Sequence, residues 1–421
     1  MRILAHARFV WIVGWIGLFL LADGITPHSG MSQTTVEAQP HASPAKPQGL
    51  NISPAPTKPS APLHERCRGQ IDCYKHHLEQ TINTQGILRA LQVIDQIVAQ
   101  DPVARSEAHN LTHHVGRTSY HHLHDVSAVM FECTAAHQSG CYHGALEAYL
   151  SSKPHVTPED VVAICSARLE QEKGRFAYFN CFHGLGHGLT MHLNHDFKRA
   201  LSMCDKLQTA WDQQSCYGGV FMETVVTGIR GPQQTHQHHG KAQDHHEMSQ
   251  PPKLIDPKDP LYPCSNLETR YLRECYMMQT SIILHLTQYD VAKAFGECDK
   301  APQDMQPTCY QSMGRDISGH TLRDIRQSIA LCELGGATYQ GRCFVGVVKN
   351  FLNVSGHASD NAFEFCQQTP ERHKKDCHFA IGEELLTLYA TVDDRSRECA
   401  RSEKSYIHDC RLGARLPPGQ S

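Results

Sequence analysis

Apolar residues in the second half of the chain are grouped into stretches that recur at a regular interval. A mostly apolar stretch such as Cys275–Leu286 or Cys343–Leu352 is followed by a turn and then by a shorter segment that ends at the next cysteine. Alternating apolar and polar residues, which would indicate strands, are scarce. The pattern predicts one long and one short helix in each unit.

Helix start signals support this interpretation. Thr157 precedes Pro158-Glu159-Asp160 and an apolar run, so that it can cap a helix whose first turn holds proline and acids. Asp196 and Asp290 stand at the same kind of boundary. We therefore expect N-terminal caps at all three positions.

The cysteines have a fixed period from residue 264 onward. Ten residues separate the two members of each pair, and successive pairs begin 34, 34, 34 and 33 residues apart. Such a period is typical of stacked supersecondary units. The five pairs are Cys264 with Cys275, Cys298 with Cys309, Cys332 with Cys343, Cys366 with Cys377, and Cys399 with Cys410.

The same spacing continues towards the N-terminus. Between Cys181 and Cys204 there are 22 residues, as between the later pairs, and between Cys141 and Cys165 there are 23. The gap from Cys216 to Cys264 is 47 residues, which is 22 plus an insertion of 25. The sequence thus predicts an all-α fold, a disulfide-stapled α-solenoid of helix-hairpin repeats with a period of about 34 residues.

Pairing across the short gaps leaves no cysteine over, whereas pairing across the 22-residue gaps would leave Cys67 and Cys410 without partners. The long-gap scheme would also have to bridge 59 residues between Cys73 and Cys133. We therefore predict nine local bonds. Besides the five regular pairs, these are Cys67 with Cys73, Cys133 with Cys141, Cys165 with Cys181, and Cys204 with Cys216.

The N-terminal segment predicts export. Residues 1–24 combine Arg2 and Arg8 with a 14-residue apolar run from Phe9 to Ala22, which is typical of a signal peptide. A retained N-terminal anchor is the alternative, and it would be the chain's only link to a membrane. Residues 25–63, rich in Pro and Ser, are predicted to be a disordered linker. Disulfides require an oxidising compartment, so a secreted or periplasmic location is expected.

The period and the cysteine pairs resemble Sel1-like and tetratricopeptide-type solenoids, particularly the secreted cysteine-rich Sel1-like proteins of bacteria. The resemblance covers roughly residues 133–410 and is one of architecture. It implies binding of a peptide, a protein or cell-wall material on the concave face.

The composition and the absence of common motifs argue against several classes of function. The chain has 39 basic and 43 acidic residues and no strongly basic domain, which argues against a nucleic-acid partner. The common zinc-protease, serine-hydrolase, nucleotide and c-haem fingerprints are absent from the sequence. The unusual residue is histidine, with 30 copies.

One group of histidines lies in the insertion, residues 231–262, within a Gln-, Pro- and Lys-rich stretch. We expect a flexible loop that binds metal loosely, if at all. The group comprises His236, His238, His239, His245 and His246.

A second group has helical geometry. Two residues after a cysteine stand His143 and His183, and four residues after them stand Glu147 and His187. Residues four apart lie on one face of a helix. A further pair with the same offset, His109 and His113, lies in an upstream repeat without cysteine, and Glu223 lies one repeat further on.

Neighbouring first helices would bring these groups onto one surface. The sequence therefore predicts, within His-rich repeats at 64–230, a centre for a divalent transition metal, Fe, Zn or Cu. In the regular repeats at 263–415 the position of His143 holds Met277, Gln311, Val345 and Phe379, so the repeat itself does not require histidine. The predicted ligands are His109, His113, His143, Glu147, His183, His187 and Glu223.

Two functions remain open. The first is an exported metal-binding repeat protein, with an enzymatic role undecided, in which Glu147 or Glu223 would act as bridging ligand or base. The second is a solenoid that binds a peptide, protein or cell-wall ligand without metal, with the histidines hydrogen-bonded to carbonyls at close helix contacts.

Overall fold

The computed structural model describes residues 61–134, 136–137, 139–165, 174–230 and 252–417. These residues form twenty α-helices and two short 3₁₀ helices, with no strand among them. The α-helices are α1 (Leu63–Cys67), α2 (Ile71–Gln85), α3 (Ile87–Gln100), α4 (Pro102–Ser106), α5 (Ala108–Leu123), α6 (Val126–Glu132), α7 (Gly140–Ser151), α8 (Pro158–Ile164), α9 (Arg175–His192), α10 (Phe197–Cys204), α11 (Ala210–Arg230), α12 (Thr269–Leu286), α13 (Val291–Cys298), α14 (Gln306–His320), α15 (Ile325–Cys332), α16 (Gln340–Ser355), α17 (Asp360–Gln368), α18 (Glu371–Leu388), α19 (Val392–Cys399) and α20 (Ile407–Gly413).

Long and short helices alternate from α5 to α11 and again from α12 to α19, as the apolar pattern predicts. The predicted caps are present: the Asp196 and Asp290 side chains each accept a backbone N–H at 3.1 Å, from Arg199 and Lys293. Thr157 forms a reciprocal capping box with Asp160. The prediction of an all-α repeat fold is confirmed.

All eighteen cysteines lie within the described residues and form nine disulfides, between the pairs that the spacing predicts. In the regular part of the array, the bonds join Cys264 to Cys275, Cys298 to Cys309, Cys332 to Cys343, Cys366 to Cys377, and Cys399 to Cys410. Upstream, they join Cys67 to Cys73, Cys133 to Cys141, Cys165 to Cys181, and Cys204 to Cys216.

From α6 onward, each bond ties the end of one repeat to the long helix of the next. Cys204 at the end of α10, for example, is joined to Cys216 in α11. In the same way, Cys298 ends α13 and its partner Cys309 lies in α14. The staples therefore fix the start of each long helix beside the helix before it.

Pairs of long helices touch through their backbones. A Cβ on Gly144 would lie 2.0 Å from the carbonyl oxygen of His113, and a Cβ on Gly116 would lie 2.1 Å from that of Cys141. Such distances are far below van der Waals contact, so only glycine permits this approach. The same reciprocal arrangement occurs four times, at Gly116 and Gly144 (α5 and α7), Gly186 and Gly219 (α9 and α11), Gly314 and Gly346 (α14 and α16), and Gly382 and Gly413 (α18 and α20).

Several predicted boundaries differ from the structure or lie outside it. Helix α1 begins at Leu63, the last residue assigned to the linker. The predicted flexible insertion extends to residue 262, but within 252–262 Leu261 is buried in the core and Ile255 lies against Gly228. The predicted signal peptide, the linker up to residue 60 and the histidines of the insertion lie outside the described residues. In the described part, no helix is both long and apolar enough to cross a membrane.

Candidate metal centre

Five histidines from three consecutive long helices form one cluster. Helix α5 contributes His109 and His113, α7 contributes His143, and α9 contributes His183 and His187. They make two groups of three, within each of which one ligand nitrogen per residue lies within 4.8 Å of the others. We call His109, His113 and His143 the outer triad, and His143, His183 and His187 the inner triad.

His143 belongs to both triads and lies at the centre of the cluster. Its ring centroid is 5.6 Å from that of His109, 5.4 Å from those of His113 and His183, and 4.8 Å from that of His187. The glycine contacts explain why the rings are so close. Gly144, the next residue after His143, packs against the backbone of His113, which draws α7 onto α5.

The hydrogen-bonding state of His143 is unusual. The residue is 2% exposed, and neither Nδ1 nor Nε2 has a hydrogen-bond partner within the described residues. A buried polar group without a partner costs about 1–3 kcal/mol in desolvation. The alternative drawn from the sequence, a histidine hydrogen-bonded to a carbonyl at a helix contact, therefore does not describe His143.

The outer triad is held by contacts at its edge. Nδ1 of His109 lies 2.9 Å from the carbonyl oxygen of His137, so Nδ1 carries the proton and Nε2 can act only as an acceptor or a ligand. That Nε2 lies 3.1 Å from Nε2 of His113. Glu147 accepts a hydrogen bond from Arg117 at 2.7 Å and lies 3.6 Å from Nδ1 of His113.

The inner triad has a carboxylate behind it. Nδ1 of His187 donates to Glu223 at 3.1 Å, and Thr227 donates to the other oxygen of that carboxylate at 2.9 Å. Nε2 of His187 has no hydrogen-bond partner among the described residues. A carboxylate that orients a histidine through one nitrogen and leaves the other for a metal is a common arrangement in metal sites.

Met222 is a further member of this region. Met222 lies on α11, next to Glu223 in the sequence. Its Sδ is 3.4 Å from Nε2 of His183 on α9. Nδ1 of His195 is 3.9 Å from Glu223, which places that histidine behind the carboxylate.

Burial favours the uncharged form of four of the five histidines. It lowers the pKa of His113, brings that of His183 to about 3, and lowers those of His109 and His143 well below the usual range. Burial disfavours ionisation of Glu147, but the contacts with His113 and Arg117 outweigh it and hold the pKa at about 2. Neutral imidazole is the form that binds metals.

A cavity of about 870 Å³ adjoins the cluster, with His143 and His183 on its wall. Aromatic side chains of Phe176, Phe179 and Trp211 line the same end. Towards α14 and α16 the lining becomes charged, with Arg315 bonded to Asp316, and Lys349 held between Glu383 and Glu384. The histidine cluster therefore faces a space that can hold another molecule.

The structure thus brings together all five histidines predicted as ligands. Glu147 and Glu223 lie beside the cluster, where they contact histidine nitrogens and fall outside both triads. Sequence reasoning missed Met222, although it stands six residues after Cys216, as Glu147 stands six residues after Cys141.

No family model matches the chain, and neither a curated protein nor a solved structure is significantly similar to it. The structure therefore shows the helical-repeat architecture, whereas no family match supports the resemblance to Sel1-like proteins.

Proposed function

We propose that this chain is an exported metal-binding protein whose five-histidine cluster holds a transition metal. The single observation that carries the proposal is His143, a buried side chain among four other histidines, whose two nitrogens have no hydrogen-bond partner among the described residues. Coordination would satisfy nitrogens that otherwise remain desolvated. Imidazole suits Zn, Cu and Fe alike, so the cluster as a whole supports a transition metal without selecting one.

The repeat framework strengthens the proposal. Gln311 of α14 and Phe379 of α18 hold the register position of His183, each with its carbonyl against a partner glycine. The close helix contact is therefore made equally well without histidine. Histidines at this contact in α5 and α9, with His143 between them, are explained by a ligand role better than by packing.

Because His143 and His183 lie on the cavity wall, a metal that they bind would be in reach of a molecule in the cavity. A metal held by His143 and His183 would supply a Lewis acid at the cavity wall, which could polarise a substrate or activate water. Glu147 is held ionised by Arg117 and His113, and so places a negative charge next to the outer triad that would favour a bound cation. These features support a metal-dependent enzyme as the finer form of the proposal.

The expected compartment is the periplasm or the extracellular space, with anchoring through the N-terminal segment as the alternative. Nine disulfides are typical of proteins in oxidising compartments. The apolar run from Phe9 to Ala22 is the sequence feature that would direct export.

The test is equilibrium metal binding by three proteins that lack residues 231–251, so that the histidines of the insertion do not contribute. They are the parent, His143→Ala and His378→Ala. His378 is a matched control, because it is fully buried but lies in α18 with Nε2 3.3 Å from Glu403. We expect tight binding by the parent and by His378→Ala, and its loss in His143→Ala. Equal binding by both variants would reject the proposal.

A second function is favoured by the aromatic end of the cavity. Phe176, Phe179 and Trp211 form a surface on which an apolar or peptide side chain can pack, and this would serve a solenoid that binds a peptide, protein or cell-wall ligand. If the parent protein binds no metal but retains such a ligand, and Trp211→Ala releases it, this second function replaces the first.

A further inference from the structure

The two triads differ in the side chain that lies next to the three histidines at one position of the repeat. Glu147 and Met222 occupy the same place in the repeat, since each stands six residues after the second cysteine of its disulfide. Glu147 approaches His113 of the outer triad, whereas Met222 approaches His183 of the inner triad. His113 and His183 are themselves equivalent, since the carbonyl of each packs against the partner glycine, Gly144 or Gly219. At this position of the repeat, the outer triad has a carboxylate and the inner triad a thioether.

Met222 is placed as a ligand would be. Its Sδ is 3.4 Å from Nε2 of His183, and both side chains line the cavity beside His143. The opposite side of the inner triad is closed by Glu223, which is already bonded to Nδ1 of His187 and to Thr227. The fourth donor available on the cavity side of the inner triad is therefore a thioether sulfur.

A set of three imidazoles and one thioether discriminates among metals. Thioether is a soft ligand that selects copper, above all Cu(I). Zinc sites in proteins use thiolate, imidazole and carboxylate, and non-haem iron sites typically combine two histidines with a carboxylate. Two more thioether side chains, Met277 and Met278, line the same cavity.

We propose that His143, His183, His187 and Met222 form a copper site. This inference rests on the proposed function, since it names the metal of the inner triad. His143 and His183 present the site to the cavity, and Glu223 sets the orientation of His187 from behind.

The experiment compares the parent protein without residues 231–251 with Met222→Leu and with Met278→Leu. Methionine and leucine have similar volumes, so both variants should fold. Met278 is the matched control, because it lines the cavity but its Sδ accepts a hydrogen bond from Arg315 at 2.7 Å. Affinity for Cu(I) and for Zn(II) is measured by competition with chelators, and sulfur ligation by X-ray absorption at the copper edge.

We expect Met222→Leu to weaken Cu(I) binding by about tenfold or more, since even contacts one shell removed from a metal cost that much when lost. Zn(II) affinity should stay unchanged, and a sulfur neighbour should be seen in the parent and in Met278→Leu but not in Met222→Leu. Metal binding without sulfur, or with equal losses for both metals, would overturn the copper site and leave the proposed function intact. A parent protein that binds neither metal would overturn both.

Discussion

The imidazole rings of His143 and His187 are stacked, with their centroids 4.8 Å apart and their planes inclined by 26°. Both are nearly completely buried, and each has at least one nitrogen without a hydrogen-bond partner in the described part of the chain. A stack of two imidazole rings contributes little free energy that could offset this desolvation. The relationship is best explained by a ligand that the two rings share.

The close contact between α9 and α11 beside the histidine cluster can be tested with glycine substitutions. Gly219→Ala would bring a Cβ to 1.9 Å from the carbonyl oxygen of His183, so α9 and α11 would have to separate. We expect a loss of at least about 1–3 kcal/mol in the free energy of unfolding, the usual range for overpacking, together with weaker metal binding. Denaturant unfolding of the oxidised protein measures the first effect.

The control for this experiment is Gly296→Ala. Gly296 lies inside α13, and a Cβ there would meet no atom within 4 Å. Alanine is the better helix former by about 1 kcal/mol, so this variant should be as stable as the parent or more so. Similar destabilisation by both substitutions would show that the reciprocal glycine contact is not what holds the helices.

Without bound metal, the helices that carry the histidine cluster should become less stable as the pH falls. Burial lowers the folded-state pKa of His143 and His183 below the ordinary 6.5, to about 3 for His183. Between these values the unfolded chain binds more protons than the folded one, so the free energy of unfolding falls as the pH falls below 6.5. We expect amide exchange in α7 and α9 to accelerate on going from about pH 7 to about pH 5, after correction for the intrinsic rate.

The titratable or charged groups that act on these two rings are His109, His113, His187 and Arg315. Glu147 and Glu223 lie one contact further away, on His113 and His187. The carboxylates have lowered pKa values and stay ionised in this range, so the effect comes from the histidines. Exchange in α7 and α9 that is independent of pH after correction would contradict this assignment.

The disulfides should differ in their effect on the centre. Removing Cys165–Cys181 or Cys399–Cys410 by paired Ser substitutions opens loops with sequence separations of 16 and 11. Each bond is worth about 3 kcal/mol by loop entropy. Only the first loss should reduce metal affinity, because His183 follows Cys181 by two residues. Equal effects on metal affinity would show that the centre depends on the whole array and not on its local staple.

Glu223 should act through His187. Glu223→Ala removes the acceptor for Nδ1 of His187, and we expect metal affinity to fall about 10–100-fold, as for other partners of metal-bound histidines. Glu223→Gln keeps an acceptor and should recover most of that loss. Titration with Cu(I) and Zn(II) measures both variants, and a Gln variant as weak as Ala would indicate that the carboxylate is itself a ligand.

The sequence predicts the scaffold well because the repeat is local. A cysteine pair separated by ten residues, such as Cys366 and Cys377, can only close a neighbouring loop. Residues four apart such as His183 and His187 share a face in any helix. These two regularities are enough to predict the disulfides and the grouping of the five histidines from the sequence. The alternation of the glycines, five residues after the cysteine in Gly186 but three in Gly219, was also readable and would have predicted the paired helices.

The surroundings of the centre could not be derived in this way. Which nitrogen of His187 meets Glu223 depends on a side-chain rotation that spacing does not encode. Met222 stands among apolar residues of α11 and is distinguished from them only by its contact with His183. The cavity is lined by residues of seven helices between α7 and α18, so no single repeat encodes it.

The most direct test of the central claim is elemental analysis of the protein, purified without a histidine tag and without residues 231–251, beside its His143→Ala variant. We predict that the parent retains one or two equivalents of a transition metal and that His143→Ala retains none while keeping its helical circular dichroism. A parent protein that holds no metal, even after incubation with Cu, Zn or Fe, would contradict the central claim.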